Sequence, residues 1–228
     1  MPSSTSSAGG GETAIRDTRV CIPAFVIALL MRPTKMIEAC LASHRRLEAA
    51  VGSLSDREMR VPSLLPGWSR AHVLTHLAQK TATHVWLIGG AEADEVREQY
   101  PSGHSHARIG IGVETGSVRP ASVLRDDLSR SFDELEAAWA RLGDEHWSRT
   151  GICVPGARSM SQIVDRHLRD VEVHHVDLDI GYNSSDWPEC FVTTEFAKRL
   201  ADLPGRASHH ALLAWLLGRS GAPDLEPW

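Results

Sequence analysis

The sequence predicts an all-α protein: an antiparallel four-helix bundle with a short helical C-terminal addition. Four long segments place apolar residues at helical spacing, Gly and Pro cluster near their ends, and little strand character lies between them. Amphipathic helices of that length bury their apolar stripes against one another, and a bundle is the simplest closed arrangement.

The first segment, 36–54, carries Ile37, Cys40, Leu41, Leu47, Val51 and Leu54 on one face, with Arg45, Arg46 and Glu48 opposite. A turn-rich connection, VPSLLPGW, leads to Ser69, a plausible N-cap for a second helix through Ile88 that Gly89 and Gly90 are expected to stop. This helix holds His72, His76 and His84 among Val73, Leu77 and Val85. Residues 92–118 are polar and glycine-containing, and read as a long loop with a short helix inside it. Pro120 opens the third long helix at its favoured first-turn position. Val123, Leu124, Leu128, Phe132, Leu135, Trp139 and Leu142 form its inner face, and Gly143 ends it.

After room for a short extended piece at 151–159, the segment 161–182 reads as a single helix around which the chemistry gathers. Ile163, Val164, His167, Leu168, Val171, His174 and Leu178 share its inner face, which therefore carries two histidines. Helices at about 192–203 and 209–217 follow, separated by a Pro-Gly break and closed by Gly218, with His209 and His210 at a surface helix start. Residues 1–13 are expected to be disordered. The apolar run 20–31, interrupted by Pro23, is too short to span a bilayer and reads first as an extension upstream of a start at Met31 or Met36. The expected division is a non-native or disordered extension at 1–35, a bundle at 36–182 and a reduced helical segment at 183–228.

A net charge of −5 argues against nonspecific binding to nucleic acid or an anionic membrane, because both need a basic face. Cys21, Cys40, Cys153 and Cys190 make no C-x-x-C pair and no disulfide framework, which suits a reducing cytoplasm. Apart from Lys35, Lys80 and Lys198 every basic residue is arginine, whose planar fork suits carboxylate ligands.

Asp170 and His174 are four apart, so a helix sets them one turn apart on the same edge. With His76 from the second helix they make a His/Asp/His set that would leave a divalent ion an open coordination position. Core histidines bonded to backbone or to each other are the competing reading. Glu172 and His175 lie round the helix from that edge, and Glu172 is expected to be solvated. Arg108, in the glycine-rich stretch, suits a carboxylate, with an exposed loop arginine as its alternative. Arg219 after the last helix suits a carboxylate or simply a helix C-terminus. No phosphate loop, nucleophile elbow or dinucleotide fingerprint is present.

LPGWSRAHVLTHLA at 65–78, the spaced set Arg108, Gly116, Arg119-Pro120 and Leu124, and RDVEVHHVDLDIGY at 169–182 resemble the mycothiol-dependent maleylpyruvate isomerase family, which has a DinB-like four-helix bundle. The similarity runs from about Met36 to Gly181, with an echo in WLLGR. The resemblance implies metal ligands at His76, Asp170 and His174, with aspartate where the family has glutamate. It also implies carboxylate-binding roles for Arg108 and Arg219, a divalent metal with zinc expected, and mycothiol as cofactor. The partners expected are a small carboxylate substrate and the low-molecular-weight thiol, with the protein a monomer or homodimer. By resemblance, a thiolate adds to the cis double bond of maleylpyruvate, the resulting single bond rotates, and elimination gives fumarylpyruvate. A mycothiol S-transferase and a non-catalytic DinB-like binding or stress-response domain are the alternatives. The small α/β domain expected after the bundle in fuller members has no room here.

Overall fold

The structure, a computed structural model, describes residues 32–100, 106–154 and 156–225, with the side chains of 106–109 excepted. The expectations for 1–13 and for the apolar run 20–31 lie outside these residues.

Among the described residues eight α-helices and one hairpin follow in order: α1 (Thr34–Val51), α2 (Asp56–Met59), α3 (Arg70–Glu92), α4 (His106–Ser117), α5 (Ala121–Arg141), β1 (Thr150–Cys153), β2 (Gly156–Ser159), α6 (Met160–Asp177), α7 (Glu189–Asp202) and α8 (His209–Leu216). The bundle consists of α1, α3, α5 and α6. Its helices α1 and α3 stand diagonally, each packing on both α5 and α6, while α4 lies along α3 and α7 covers α1 and α6. The expected DinB-like all-α bundle with a helical C-terminal addition is what forms.

Three expected boundaries move, each for a local reason. Helix α3 runs through Gly89 and Gly90 to Glu92 rather than stopping at them. A Cβ on Gly90 would lie 2.8 Å from Arg97 Cγ and 2.9 Å from Glu95 O, so this glycine admits a crossing chain instead of ending a helix. That crossing chain pairs beside β1: Ile152 N–H donates to Arg97 O at 2.9 Å and Gln99 N–H to Ile152 O at 2.7 Å. Residues 106–117 form a full helix where a loop with a short helix is expected. It lies close against α3 because Gly116 faces Thr75, whose Cγ2 would be 2.5 Å from an added Cβ. The central helix ends at Asp177, short of Tyr182, where Asp179 turns to φ 52° and Gly181 to φ 94°.

The start of α6 is fixed by a capping box, in which Ser159 Oγ accepts from Gln162 N–H at 3.2 Å and Gln162 Oε1 accepts from Ser159 N–H at 3.0 Å. Arg70 fixes its end. The Arg70 guanidinium donates from Nε to Leu178 O at 2.7 Å and from Nη2 to Asp179 O at 2.6 Å, satisfying carbonyls that a helix end leaves free. Because Arg70 is itself the first residue of α3, this clamp brings the beginning of α3 to the end of α6. The last helix closes on a Schellman turn, with Gly218 N–H to Trp215 O at 2.8 Å and Arg219 N–H to Ala214 O at 2.7 Å.

Apolar packing falls into two separate layers. One contains Cys40, Leu87, Leu135, Trp139, Val164 and Leu168; the other contains Leu47, Leu74, Leu77, Leu128, Phe132 and Val171. Between them run buried polar side chains, His44 on α1, His84 on α3 and His167 on α6. Among the described residues, Cys40, Cys153 and Cys190 are free thiols. No helix among the described residues is long and apolar enough to cross a membrane.

Candidate functional site

The Arg70 clamp sets His76, two turns into α3, against His174, one turn before the end of α6. Their rings meet edge to face, with centroids 5.0 Å apart and planes at 83°. Trp68 closes the other side of His76 at 5.4 Å. Burial pushes His76 down to about 4, and the neighbouring His174 adds to this while Asp170 opposes it, so its imidazole is neutral at physiological pH. A neutral imidazole is the form that ligates a metal.

His174 Nδ1 pairs with Asp177 Oδ2 at 2.8 Å. That contact fixes the Nδ1–H tautomer and leaves Nε2 with its lone pair, the arrangement carboxylate partners commonly impose on metal-bound histidines. One turn earlier, Asp170 has Oδ1 3.5 Å from Arg169 Nη2, and its Oδ2 is buried without a hydrogen-bond partner among the described residues. Burial raises the Asp170 carboxyl, but Lys80, His84, Arg169 and Arg166 together outweigh it and hold the group below the usual carboxylate range. Lys80, one turn beyond His76 on the same edge of α3, is pushed down by burial and supported by Asp170.

The neutral His76 imidazole, the His174 ring with its Nδ1 engaged by Asp177, and an ionised carboxylate with an unpartnered oxygen are the right donor types for a divalent ion. Among the described residues no three His, Cys, Asp or Glu side chains are already drawn together as a ligand cage. The residues present suit a metal by chemistry, and the helix edges that carry them face one another.

The other site expectations divide. Arg108 lies on α4 rather than in a loop, and its side chain is outside the described residues. Arg219 is exposed at the end of α8, a helix whose only buried residue is Leu212. His209 and His210 are exposed at the start of α8, as expected. His72 serves as a brace: Ser69 N–H donates to its Nδ1 at 3.2 Å, and its Nε2 lies 3.1 Å from Ser117 Oγ on α4.

Glu172 corrects the expectation of a solvated side chain, being only 1% exposed. It faces α1 and the chain after α6, away from His76, and it takes hydrogen bonds from Ser43 Oγ, Tyr182 Oη and, at 2.6 Å, Arg46 Nη2. His175 is buried beside it, stacked on Tyr182 at 3.8 Å between ring centroids. A buried carboxylate is retained there because three donors surround it. Helical spacing separates Glu172 from Asp170 correctly, but does not reveal that α1 supplies a polar seat on the second face. The histidine layer of the core was likewise hidden, although His44 falls on the apolar stripe of α1 between Cys40 and Leu47.

Bundle, clamp and donor set together define a four-helix-bundle protein with a candidate metal site between two of its helices. The chain belongs to the mycothiol maleylpyruvate isomerase N-terminal domain family, whose sequence model matches residues 40–179. Among solved structures it is similar to the mycothiol-dependent maleylpyruvate isomerase, at 23% identity over 72% of this chain and 68% of that one, with a TM-score of 0.68. A histidine-to-alanine mutant of that enzyme matches at 22% identity over the same shares, also with a TM-score of 0.68. No curated protein matches the chain.

Proposed function

We propose that the protein is a metal-dependent, mycothiol-dependent isomerase of the maleylpyruvate type, with His76, Asp170 and His174 as the metal-holding residues. The observation that carries this reading is the meeting of neutral His76 with His174, its Nδ1 engaged by Asp177, beside an ionised Asp170 whose Oδ2 is unpartnered. Family membership supplies the thiol and the substrate class.

A divalent ion, zinc by preference for imidazole and carboxylate donors, would favour thiolate over thiol and make a nucleophile available near neutral pH. The rest of the chemistry falls to the chain. Asp177 keeps His174 in one tautomer, so its Nε2 faces the site without a search over ring orientations. Trp68 walls the outer side of His76 and limits water there. Lys80 and Arg166 place positive charge near Asp170, which also favours an anionic substrate. Arg108 on α4 is the carboxylate-gripping residue of this reading, stabilising the negative charge that develops when the thiolate adds. Arg219, exposed just after α8, is the second carboxylate-binding residue of this reading.

The test is a maleylpyruvate assay with zinc-loaded protein and mycothiol, following fumarylpyruvate by chromatography. Fumarylpyruvate formed only when mycothiol is present supports the isomerase. Accumulation of a stable mycothiol adduct instead indicates an S-transferase, and no turnover of any electrophile in a panel leaves a binding domain.

A further inference from the structure

The histidines that split the apolar core form one continuous hydrogen-bonded line. Glu136 Oε1, on the rim of α5, lies 2.6 Å from His44 Nδ1; His44 Nε2 lies 2.7 Å from His167 Nε2; and His167 Nδ1 lies 3.3 Å from His84 Nδ1. The far nitrogen of the line, His84 Nε2, is buried with no hydrogen-bond partner among the described residues. The Glu136 side chain is 33% exposed, whereas His44, His84 and His167 are all sealed from water. Phe132 stacks on His44 at 3.8 Å and Trp139 meets His167 edge-on at 5.6 Å, so the first two rings of the line are held in place.

We propose that Glu136, His44, His167 and His84 form a proton path from the surface of α5 to the interior of the bundle. The geometry dictates its direction. An ionised Glu136 accepts only, so His44 carries its proton on Nδ1 and presents a bare Nε2. His167 must then donate from Nε2 and present a bare Nδ1, and His84 must donate from Nδ1, which leaves its Nε2 as an inward-facing acceptor. A proton arriving at His84 Nε2 releases the Nδ1 proton to His167. His167 passes its Nε2 proton to His44, and His44 passes its Nδ1 proton to Glu136, which becomes a carboxylic acid and exchanges with water. Each N–H or O–H bond formed is matched by one broken, no ring turns, and the reverse passage restores every tautomer.

Charged groups act on every member of the line. Arg45 acts on Glu136 and His44, Asp170, Lys80 and Arg166 act on His84, and Lys80 also acts on His167. Burial holds all three rings neutral, so the proton moves through them without resting on any one. Use of the path in catalysis rests on the thiol reading, in which a thiol loses a proton on binding and regains it on release. The path itself does not.

Nitrogen-15 histidine labelling of the full chain, without substrate or metal, reads both the tautomers and the exchange of ring protons with water by NMR. The parent is expected to show Nδ1–H on His44, Nε2–H on His167 and Nδ1–H on His84. Glu136→Gln keeps an acceptor for His44 but takes up no proton, so the His167 ring proton should exchange about tenfold more slowly with the fold intact. Any other order of tautomers in the parent, or a slowing in Glu136→Gln of less than about threefold, overturns the path. Neither reading depends on whether the isomerase assay succeeds.

Discussion

Replacing Glu172 by alanine separates a structural carboxylate from a metal-binding one. The side chain is sealed from water and receives hydrogen bonds from Ser43, Tyr182 and Arg46. Hydrogen bonds to a charged group contribute about 1.5–3 kcal/mol each, and removing one member of a buried pair costs about 3–5 kcal/mol. The Arg46 side chain is 38% exposed, so water takes over part of its pairing and its share must be discounted. Losing the buried charge itself returns some desolvation energy. The net expectation for Glu172→Ala is a loss of about 2–4 kcal/mol, from Ser43 and Tyr182 left without their acceptor. For a chain of this size that is a fall in Tm of about 4–16 °C. Urea denaturation followed by circular dichroism measures it directly, as a lower midpoint at unchanged slope. Metal content should not change, because Glu172 faces α1 rather than His76. A loss below about 1 kcal/mol, or loss of metal with the fold intact, would refute the assignment of Glu172 to the α1 seat.

The remaining predictions follow from the same contacts. His44 is pushed down to about 3, His76 and His175 to about 4, and His84 and His167 well below their ordinary value, burial being the main cause throughout. All five take up protons more readily when unfolded, so stability is full above about pH 6.5 and is lost as pH falls from there toward 4. Urea midpoints at pH 7.5, 6.5 and 5.5 should drop steeply over the last step, and equal midpoints would contradict the burial of neutral rings. Tyr182 shifts the other way, raised by burial and by its bond to Glu172, so it adds stability that is lost as pH climbs above about 10. Gly116→Ala puts a methyl against Thr75 and should cost about 1–3 kcal/mol despite the better helix propensity of alanine; a stabilised variant would show that α4 does not sit close on α3. Arg70→Ala removes the clamp on α6 and should cost about 1–3 kcal/mol while weakening metal retention; unchanged metal affinity would show that the clamp does not set His76 against His174.

Periodicity made the bundle legible. The stripes of α1, α3, α5 and α6 are long and regular, and Pro120 and Gly218 mark boundaries by the backbone they permit. Gly89, Gly90 and Gly116 were harder to interpret, because a glycine that admits a neighbouring chain looks in sequence like one that ends a helix. At the candidate site, the four-residue spacing of Asp170 and His174 placed them on one edge, and the structure sets His76 against His174. The separate role of Glu172 was not legible, since its partners Ser43 and Arg46 lie more than a hundred residues away and only the fold joins them. His44 was missed for a related reason: a histidine on an apolar stripe gives no sign of whether its partner is backbone, metal or another histidine.

The most direct test of the central claim is the metal content of protein purified without a histidine tag, by elemental mass spectrometry, beside His76→Ala and Asp170→Ala. The site described here predicts about one zinc per chain in the parent and its loss in both variants, each still folded by circular dichroism. A parent that holds no metal after zinc is supplied and the excess removed would contradict the claim, as would retention of zinc in either variant.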